Sequence, residues 1–146
     1  MARFEQSVVI SQPAERVFAF VSDFENDPLW SGVVQVRRIS PGPVGAGTAF
    51  RLRQRFLGRD IDVVLEVAGY EPGRAITVKT TSGRFLSMTG TRLVEAAGDG
   101  TRLTFSGTGR TRGWLRPLEP LLAMAAGGHR LRTQLARLKQ YLETQP

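Results

Sequence analysis

The sequence contains no cysteine and one histidine, His129, in 146 residues. The lack of cysteine excludes disulfides and metal sites built from thiolates. A single imidazole without clustered carboxylates also provides too few groups for a zinc site or a hydrolytic triad. We therefore predict neither a metal nor a cofactor.

The chain also lacks a long apolar run. It begins Met-Ala-Arg-Phe-Glu-Gln-Ser, a stretch that fits neither a signal peptide nor a membrane span. The cytoplasm is therefore the expected compartment. A hydrophobic content of 41% is enough to build the core of one globular domain, which we place at residues 1–146.

Positive charge is in excess, because 20 Lys and Arg residues against 13 Asp and Glu residues give a net charge of +7. A concentrated basic face would attract nucleic acid or an anionic membrane. The arginines are scattered through the whole chain, however, and this favours no specific nucleic-acid site. Peripheral contact with an anionic membrane stays open as an alternative, as does the choice between monomer and dimer.

The first elements follow from alternation and from one proline. Residues 4–10 alternate apolar with polar side chains, which predicts a first strand with one buried face. Pro13 suits the start of a helix, and the apolar side of that helix would carry Val17, Val21 and Phe24. A second short helical turn follows near Trp30, whose indole is expected to fill the core.

A strand at residues 34–39 and a loop at residues 41–47 precede an arginine-rich hairpin. Gly58 and Arg59 predict a two-residue turn of type II′, which fixes the register of the third and fourth strands. That register places arginines opposite acids, so the arginine strip has a structural explanation. The predicted pairs are Phe56–Ile61, Gln54–Val63, Leu52–Leu65, Phe50–Val67, Arg55–Asp62 and Arg51–Glu66, with Arg53 opposite Val64.

The next hairpin leaves two registers open. Residues 76–80 predict a fifth strand, and Ser82-Gly83 predicts the turn after it. A three-residue loop would place Val78 opposite Met88 and turn the even-numbered residues of the sixth strand inward. A two-residue loop would reverse that face.

The last hairpin decides between these two faces. Asp99-Gly100 is a strong signal for a type I′ turn. Pairing across it puts Val94 beside Phe105 and Arg92 beside Gly107 on the apolar face. Arg92 is therefore expected to point inward, over a glycine.

One long helical segment is predicted from Gly113 to Glu143. In its second half, Leu131, Leu135, Leu138 and Leu142 fall on one stripe. Gly127-Gly128 separates this half from residues 115–126, whose leucines lie out of phase and which we interpret as a movable lid. The elements together predict an α+β fold of order β-α-α-β-β-β-β-β-β-α, in which the terminal helix covers the apolar face of an antiparallel sheet of about seven strands.

Five stretches carry a family resemblance over nearly the whole chain. They are Val-Val-Ile-Ser-Gln-Pro-Ala-Glu-Arg-Val-Phe-Ala-Phe-Val-Ser-Asp-Phe, Pro28-Leu29-Trp30, Gly45-Ala46-Gly47-Thr48, Glu95 before Gly98-Asp99-Gly100-Thr101, and Leu135-Ala136-Arg137-Leu138-Lys139. Together they resemble the START-like or SRPBCC superfamily, and within it the polyketide cyclase/dehydrase-like branch. The resemblance implies a helix-grip fold, with a hydrophobic cavity between a curved sheet and the terminal helix. It implies no shared catalytic motif.

The candidate site residues follow from the predicted inner face of the sheet. Gln54 and Arg92 are polar residues on that face and are candidates to orient a ligand, because an unpaired buried polar group is costly. Tyr70 is a further candidate at the rim, whereas the helical phase of His129 predicts exposure to solvent. The predicted cavity residues are Trp30, Phe50, Leu52, Gln54, Phe56, Val63, Leu65, Met88, Arg92, Phe105, Leu121 and Met124.

These residues favour the binding of a small hydrophobic or amphipathic molecule, such as a lipid or a polyketide. The alternative is an enzyme, a polyketide aromatase/cyclase or dehydratase, in which Arg92 would stabilise an enolate and Gln54 or Tyr70 would direct a proton. The sequence shows no catalytic motif that decides between the two. Attachment of the basic exterior to an anionic surface is a third hypothesis.

Overall fold

The described part of the chain folds into a seven-stranded sheet with a short α-helix, a 3₁₀ helix and a C-terminal α-helix. The computed structural model describes residues 2–56, 58–82, 86–111, 117 and 129–144. The order of elements agrees with the prediction. The elements are β1 (Ala2–Ile10), α1 (Ala14–Val21), the 3₁₀ helix (Phe24–Leu29), β2 (Val33–Arg38), β3 (Ala49–Phe56), β4 (Arg59–Glu71), β5 (Ala75–Ser82), β6 (Leu86–Ala97), β7 (Gly100–Thr111) and α2 (His129–Glu143).

The strands form one antiparallel sheet in the order β1-β7-β6-β5-β4-β3-β2, so β1 and β2 are its two edges. One face of the sheet is apolar and buried, as the alternation along the strands predicts. In β4, for example, Ile61, Val63, Leu65 and Val67 are all buried. This inner face and the helices packed on it form the hydrophobic core.

Both described α-helices bury the residues that their spacing predicts. Pro13 is the N-cap of α1, and Val17, Phe18 and Val21 are buried along it. The four leucines of the α2 stripe are likewise buried. The rest of the predicted long helix, residues 113–128, lies outside the described residues except for Pro117, so the predicted lid and the glycine pair within it stay predictions.

The end of α2 is attached to the edge strand β1. The Glu143 carboxylate accepts a hydrogen bond from the backbone N–H of Ser11 at 2.7 Å. Lys139 donates to the carbonyl of Val9 at 2.6 Å and pairs with Glu143 at 2.8 Å. Among the described residues, no helix is long and apolar enough to cross a membrane.

The predicted register of the β3–β4 hairpin is wrong by two residues. Phe56 pairs with Arg59, Leu52 with Val63 and Phe50 with Leu65. The turn therefore lies between Phe56 and Arg59, so Arg59 belongs to β4 and not to the turn, and Gly58 takes a positive φ of 78°. A shift of two keeps each side chain on its predicted face but changes its partner.

The β6–β7 hairpin has the same displacement, with Val94 opposite Leu103 and Arg92 opposite Phe105. The loop is Gly98-Asp99, and Gly100 belongs to β7. A Cβ atom at Gly100 would lie 2.5 Å from the carbonyl oxygen of Ile10. Gly100 is thus needed for the close approach of β1 rather than for the turn.

The β5–β6 pairing is also displaced by two residues. Val78 lies opposite Gly90, not opposite Met88. The inward set predicted from the three-residue loop is nevertheless confirmed for the residues around Arg92, because Val78 and Val94 are buried on the face that Arg92 shares. The faces therefore agree with the prediction in all three hairpins, although the partners do not.

Candidate functional site

Most of the predicted cavity residues lie together on the inner face of the sheet or against it. Six apolar members of that set are buried and belong to one core cluster, and Met88 is partly buried against it. The six are Trp30, Phe50, Leu52, Val63, Leu65 and Phe105. The structure thus brings them into one interior, whereas their role in holding a ligand stays a proposal.

Three predicted members fall outside this description. Leu121 and Met124 lie outside the described residues. Phe56 is the last residue of β3, and its side chain is likewise outside the description. His129 is the first residue of α2, but its side chain is not among those described, so its predicted exposure stays a prediction.

Arg92 points inward as predicted, and it has a partner that the sequence reading missed. Its two terminal nitrogens donate to the two carboxylate oxygens of Asp27, at 2.9 Å and 2.6 Å. One of these nitrogens also donates to the backbone carbonyl of Val21 at 3.0 Å. This bidentate ion pair joins β6 to the 3₁₀ helix and to the end of α1, with side-chain exposures of only 12% and 5%.

Aromatic rings surround the Arg92 guanidinium. Its central carbon lies 3.8 Å from the centre of the Phe24 ring, 4.6 Å from that of Phe105 and 5.6 Å from that of Trp30. Such rings stabilise a cation that has lost part of its hydration. The predicted neighbour Gly107 lies two residues further along β7, opposite Gly90, and the ring of Phe4 lies close to it.

Asp27 is the buried ion-pair partner of Arg92, and the sequence did not predict this role. Burial raises the pKa of its carboxyl, and the attraction and hydrogen bonds of Arg92 counteract this effect. Asn26-Asp27-Pro28 has the composition of a turn, and this composition predicts no buried acid. A usable signal did exist, because an arginine on an apolar face needs a buried acid as its partner.

The Trp30 indole brings a polar N–H group into this interior. The residue is only 4% exposed, and its ring meets that of Phe105 edge-on at 5.5 Å between centroids. Its Nε1–H has no hydrogen-bond partner among the described residues. A buried donor without an acceptor typically costs about 1–3 kcal/mol. From the sequence, only the apolar area of Trp30 predicted a place in the cavity.

Gln54 lies on the inner face of β3, opposite Val33 of β2 and Ile61 of β4. It is half-buried, and its amide makes no hydrogen bond to the described residues. Its neighbours across both ladders are apolar, so its polar end has no side-chain partner from the adjacent strands. The amide can therefore both donate to and accept from a bound molecule.

Tyr70 reaches the inner side of β4 because of a β-bulge. The register shifts between Val67 and Gly69, so Tyr70 pairs with the buried Ile76 rather than facing outward. Its ring packs against Phe18 of α1, with centroids 5.8 Å apart. Tyr70 is thus a half-buried residue at the contact between the sheet and α1.

The described residues contain no group of His, Cys, Asp or Glu side chains arranged to hold a metal ion. Among the described residues, the polar groups at the predicted site are an ion pair, an indole N–H, a carboxamide and a phenol. These groups bind by hydrogen bonds and do not form a nucleophile with an adjacent base. They can donate and accept hydrogen bonds.

Comparison with known families gives a match over almost the full length. A family model described as "Polyketide cyclase / dehydrase and lipid transport" matches residues 1–143. No curated protein has a matching sequence.

Solved structures support the same fold. A START superfamily protein from Mycobacterium smegmatis is similar with a TM-score of 0.78 at 18% identity, covering 98% of each chain. A protein from Thermus thermophilus gives 0.77 at 20% identity and 96% of each chain. The major latex-like protein 151 of Panax ginseng gives 0.66 at 12% identity, again with 96% of each. The α+β helix-grip fold implied by the sequence is thereby confirmed.

Proposed function

Because this chain belongs to the polyketide cyclase / dehydrase and lipid transport family, we propose that it binds a small hydrophobic or amphipathic molecule between its sheet and its C-terminal helix. The observation that carries the proposal is the buried Trp30 Nε1–H without an acceptor among the described residues. A carbonyl or hydroxyl oxygen of the ligand would satisfy this donor.

The two parts of the binding energy come from different residues. Burial of the ligand against the apolar inner face supplies affinity that is not specific for one molecule, at about 25 cal/mol per Å² of apolar surface. Trp30, and after it Gln54, supply orientation, because each offers a polar group that the described protein leaves without a partner. An apolar molecule with one oxygen fits this division of roles.

Arg92 has a different role in this proposal. Its terminal nitrogens are engaged by Asp27 and Val21, and aromatic rings cover the guanidinium. Stabilising an enolate, as the cyclase hypothesis requires, would mean breaking a bidentate buried ion pair. We therefore assign Arg92 to holding the 3₁₀ helix on the sheet, and no observation on the described residues favours the cyclase over binding.

Two ligands that differ by one oxygen test the proposal. We expect a long-chain methyl ketone to bind more tightly than the alkane of equal carbon number, measured by calorimetric titration. Trp30→Phe keeps a ring but removes the N–H. The substitution should lower the affinity for the ketone about tenfold, as expected for one buried hydrogen bond, and should leave the affinity for the alkane unchanged.

The fold of the variant is checked by its circular dichroism spectrum and melting temperature. Native mass spectrometry of the protein purified from its own organism provides an independent readout for a retained molecule. Failure of both probe ligands to bind, together with an empty protein in the mass spectrum, would contradict the binding function. An equal loss for ketone and alkane would contradict the role of Trp30 alone.

A further inference from the structure

One edge of the sheet has an unbalanced charge. Residues 29–56 contain five arginines and no aspartate or glutamate. In the fold this stretch covers the end of the 3₁₀ helix, the edge strand β2 and its neighbour β3. The scattered arginines of the sequence therefore include one local concentration.

The five arginines of this edge differ in their partners, and Arg38 donates to the backbone carbonyl of Gly42 at 2.9 Å. Arg53 pairs with Asp62 at 2.9 Å and Arg55 with Asp60 at 3.1 Å, both from β4. Further out, Arg37 of β2 lies directly opposite Arg51 of β3 on the exposed face. Neither of these two lies within ion-pair distance of a described acid, although the charge of Arg51 contributes to the lowered pKa of Asp62. Like charges opposed across a ladder destabilise it.

Exposed aliphatic side chains occur in the same stretch of the chain as these arginines. Four large hydrophobic residues among those described are between 42% and 56% exposed, and three of them belong to this edge: Leu29, Val34 and Ile39. A bulge produces the exposure of Val34, because Val33 pairs with Gln54 and Gln35 with Arg53, which leaves Val34 as the extra residue. The fourth, Val9, lies on β1 at the opposite edge.

We propose that Leu29, Val34, Arg37, Ile39 and Arg51, called here the β2 patch, dock the protein onto an anionic lipid bilayer. Arginines attract the negative headgroups, and aliphatic side chains enter the boundary between headgroups and acyl chains. Nucleic acid would also attract the arginines, but it offers nothing to exposed Leu, Val and Ile. This docking does not depend on the interior ligand.

A purely structural role explains the patch less well. Charges on an edge strand prevent edge-to-edge pairing of sheets. The exposed Val34 and Ile39 beside Arg37 have the opposite effect, because exposed aliphatic side chains on an edge promote association. Charge and exposed apolar surface together fit a membrane, which uses both.

Vesicle sedimentation tests the proposal with the full chain. The protein should sediment with vesicles of phosphatidylcholine and phosphatidylglycerol in a ratio of roughly two to one, and it should stay in solution with phosphatidylcholine alone. Arg37→Gln and Arg51→Gln should each lower the partition coefficient about fivefold, which corresponds to about 1 kcal/mol per charge. Added salt should weaken binding of the wild type and affect the double variant less.

The opposite edge of the sheet, β1 and its neighbour β7, provides matched controls. Val9→Ser removes an aliphatic side chain of similar exposure from β1. Arg102→Gln removes an equal charge from β7, where Arg102 lies opposite Glu95 of β6. Both should bind the anionic vesicles as the wild type does, whereas Val34→Ser should bind less. The melting temperature of Arg37→Gln should be no lower than that of the wild type, because the substitution relieves a like-charge pair. A loss of vesicle binding in this variant would therefore not result from unfolding.

Three outcomes would overturn the proposal. Equal loss in Arg102→Gln and Arg37→Gln would show that total charge, and not the patch, governs binding. Equal sedimentation with neutral and anionic vesicles would exclude the electrostatic role. Retention of a nucleic acid that the β2-patch variants abolish, without any binding to vesicles, would assign the patch to that polymer instead.

Discussion

The interior and the exterior of the sheet each hold an arginine–aspartate pair of similar geometry in different surroundings. Arg92 and Asp27 approach to 2.6 Å with side chains 12% and 5% exposed. Arg53 and Asp62 approach to 2.9 Å with side chains 44% and 51% exposed. Both pairs are held by two hydrogen bonds. Burial, and not contact distance, is therefore what separates a pair that fixes the packing of the 3₁₀ helix from a pair that solvent largely screens.

The largest expected effect comes from breaking the inner pair. Asp27→Asn keeps the shape of the side chain but leaves the Arg92 guanidinium buried without a counter-charge. We expect the free energy of unfolding to fall by roughly 3–5 kcal/mol, measured by urea denaturation. A loss below about 1 kcal/mol would mean that water reaches Arg92 and that the interior is more hydrated than the described contacts imply.

The double variant Asp27→Leu/Arg92→Met is the matched control. It removes both charges and fills the space with apolar side chains, so most of the stability should return. If the double variant were as unstable as Asp27→Asn, the shape of the pair rather than its charge balance would hold the 3₁₀ helix in place.

The pH dependence of Arg92→Met provides the second test, with an effect of intermediate size. Arg92 lowers the pKa of Asp27, whereas burial and the charge of Asp23 raise it. Without the guanidinium, only the two influences that raise this pKa remain. A carboxyl with a raised pKa in the folded state stabilises the fold fully below its unfolded value of 3.8, and this contribution is lost as the pH rises through the folded pKa. The stability deficit of Arg92→Met should therefore narrow as the pH falls from about 7 toward about 4.

If Asp27 is the group that titrates, the narrowing of the stability deficit at low pH should disappear when Asp27 is also replaced. Denaturation curves of Asp27→Leu/Arg92→Met across the same pH range check this requirement. A deficit of Arg92→Met that is constant with pH would show that Asp27 is not the group that titrates.

The faces of the sheet could be predicted from sequence, whereas the pairing of its strands could not. Alternation fixes the face, and a register error of two residues leaves every side chain on its own face. The exact pairing depends on which of two adjacent positions forms the turn. At the β6–β7 hairpin the turn is Gly98-Asp99, in which Gly98 takes a positive φ of 60°. Gly100 lies in β7, where a Cβ atom would meet the Ile10 carbonyl of a strand at the other end of the sequence.

The site shows the same division between local and long-range information. The inward direction of Arg92 follows from the alternation of β6 and from the face on which its neighbours lie. Its partner Asp27 is 65 residues away in a segment with the composition of a turn. Likewise, the burial of Trp30 follows from its apolar ring. Its N–H has no partner among the described residues, and this depends on which acceptors the fold brings near it.

The smallest expected effect is at the outer pair. The Arg53 guanidinium holds the pKa of Asp62 below its ordinary value, mainly through a hydrogen bond. Because the folded pKa is lowered, the contribution is present above 3.8 and is lost as the pH falls through the folded value, which is the opposite direction to Asp27. Asp62→Asn should therefore cost a small fraction of the Asp27→Asn loss at neutral pH, and this cost should vanish in acid or in high salt. Equal losses for the two variants in urea denaturation would refute the view that burial separates the pairs.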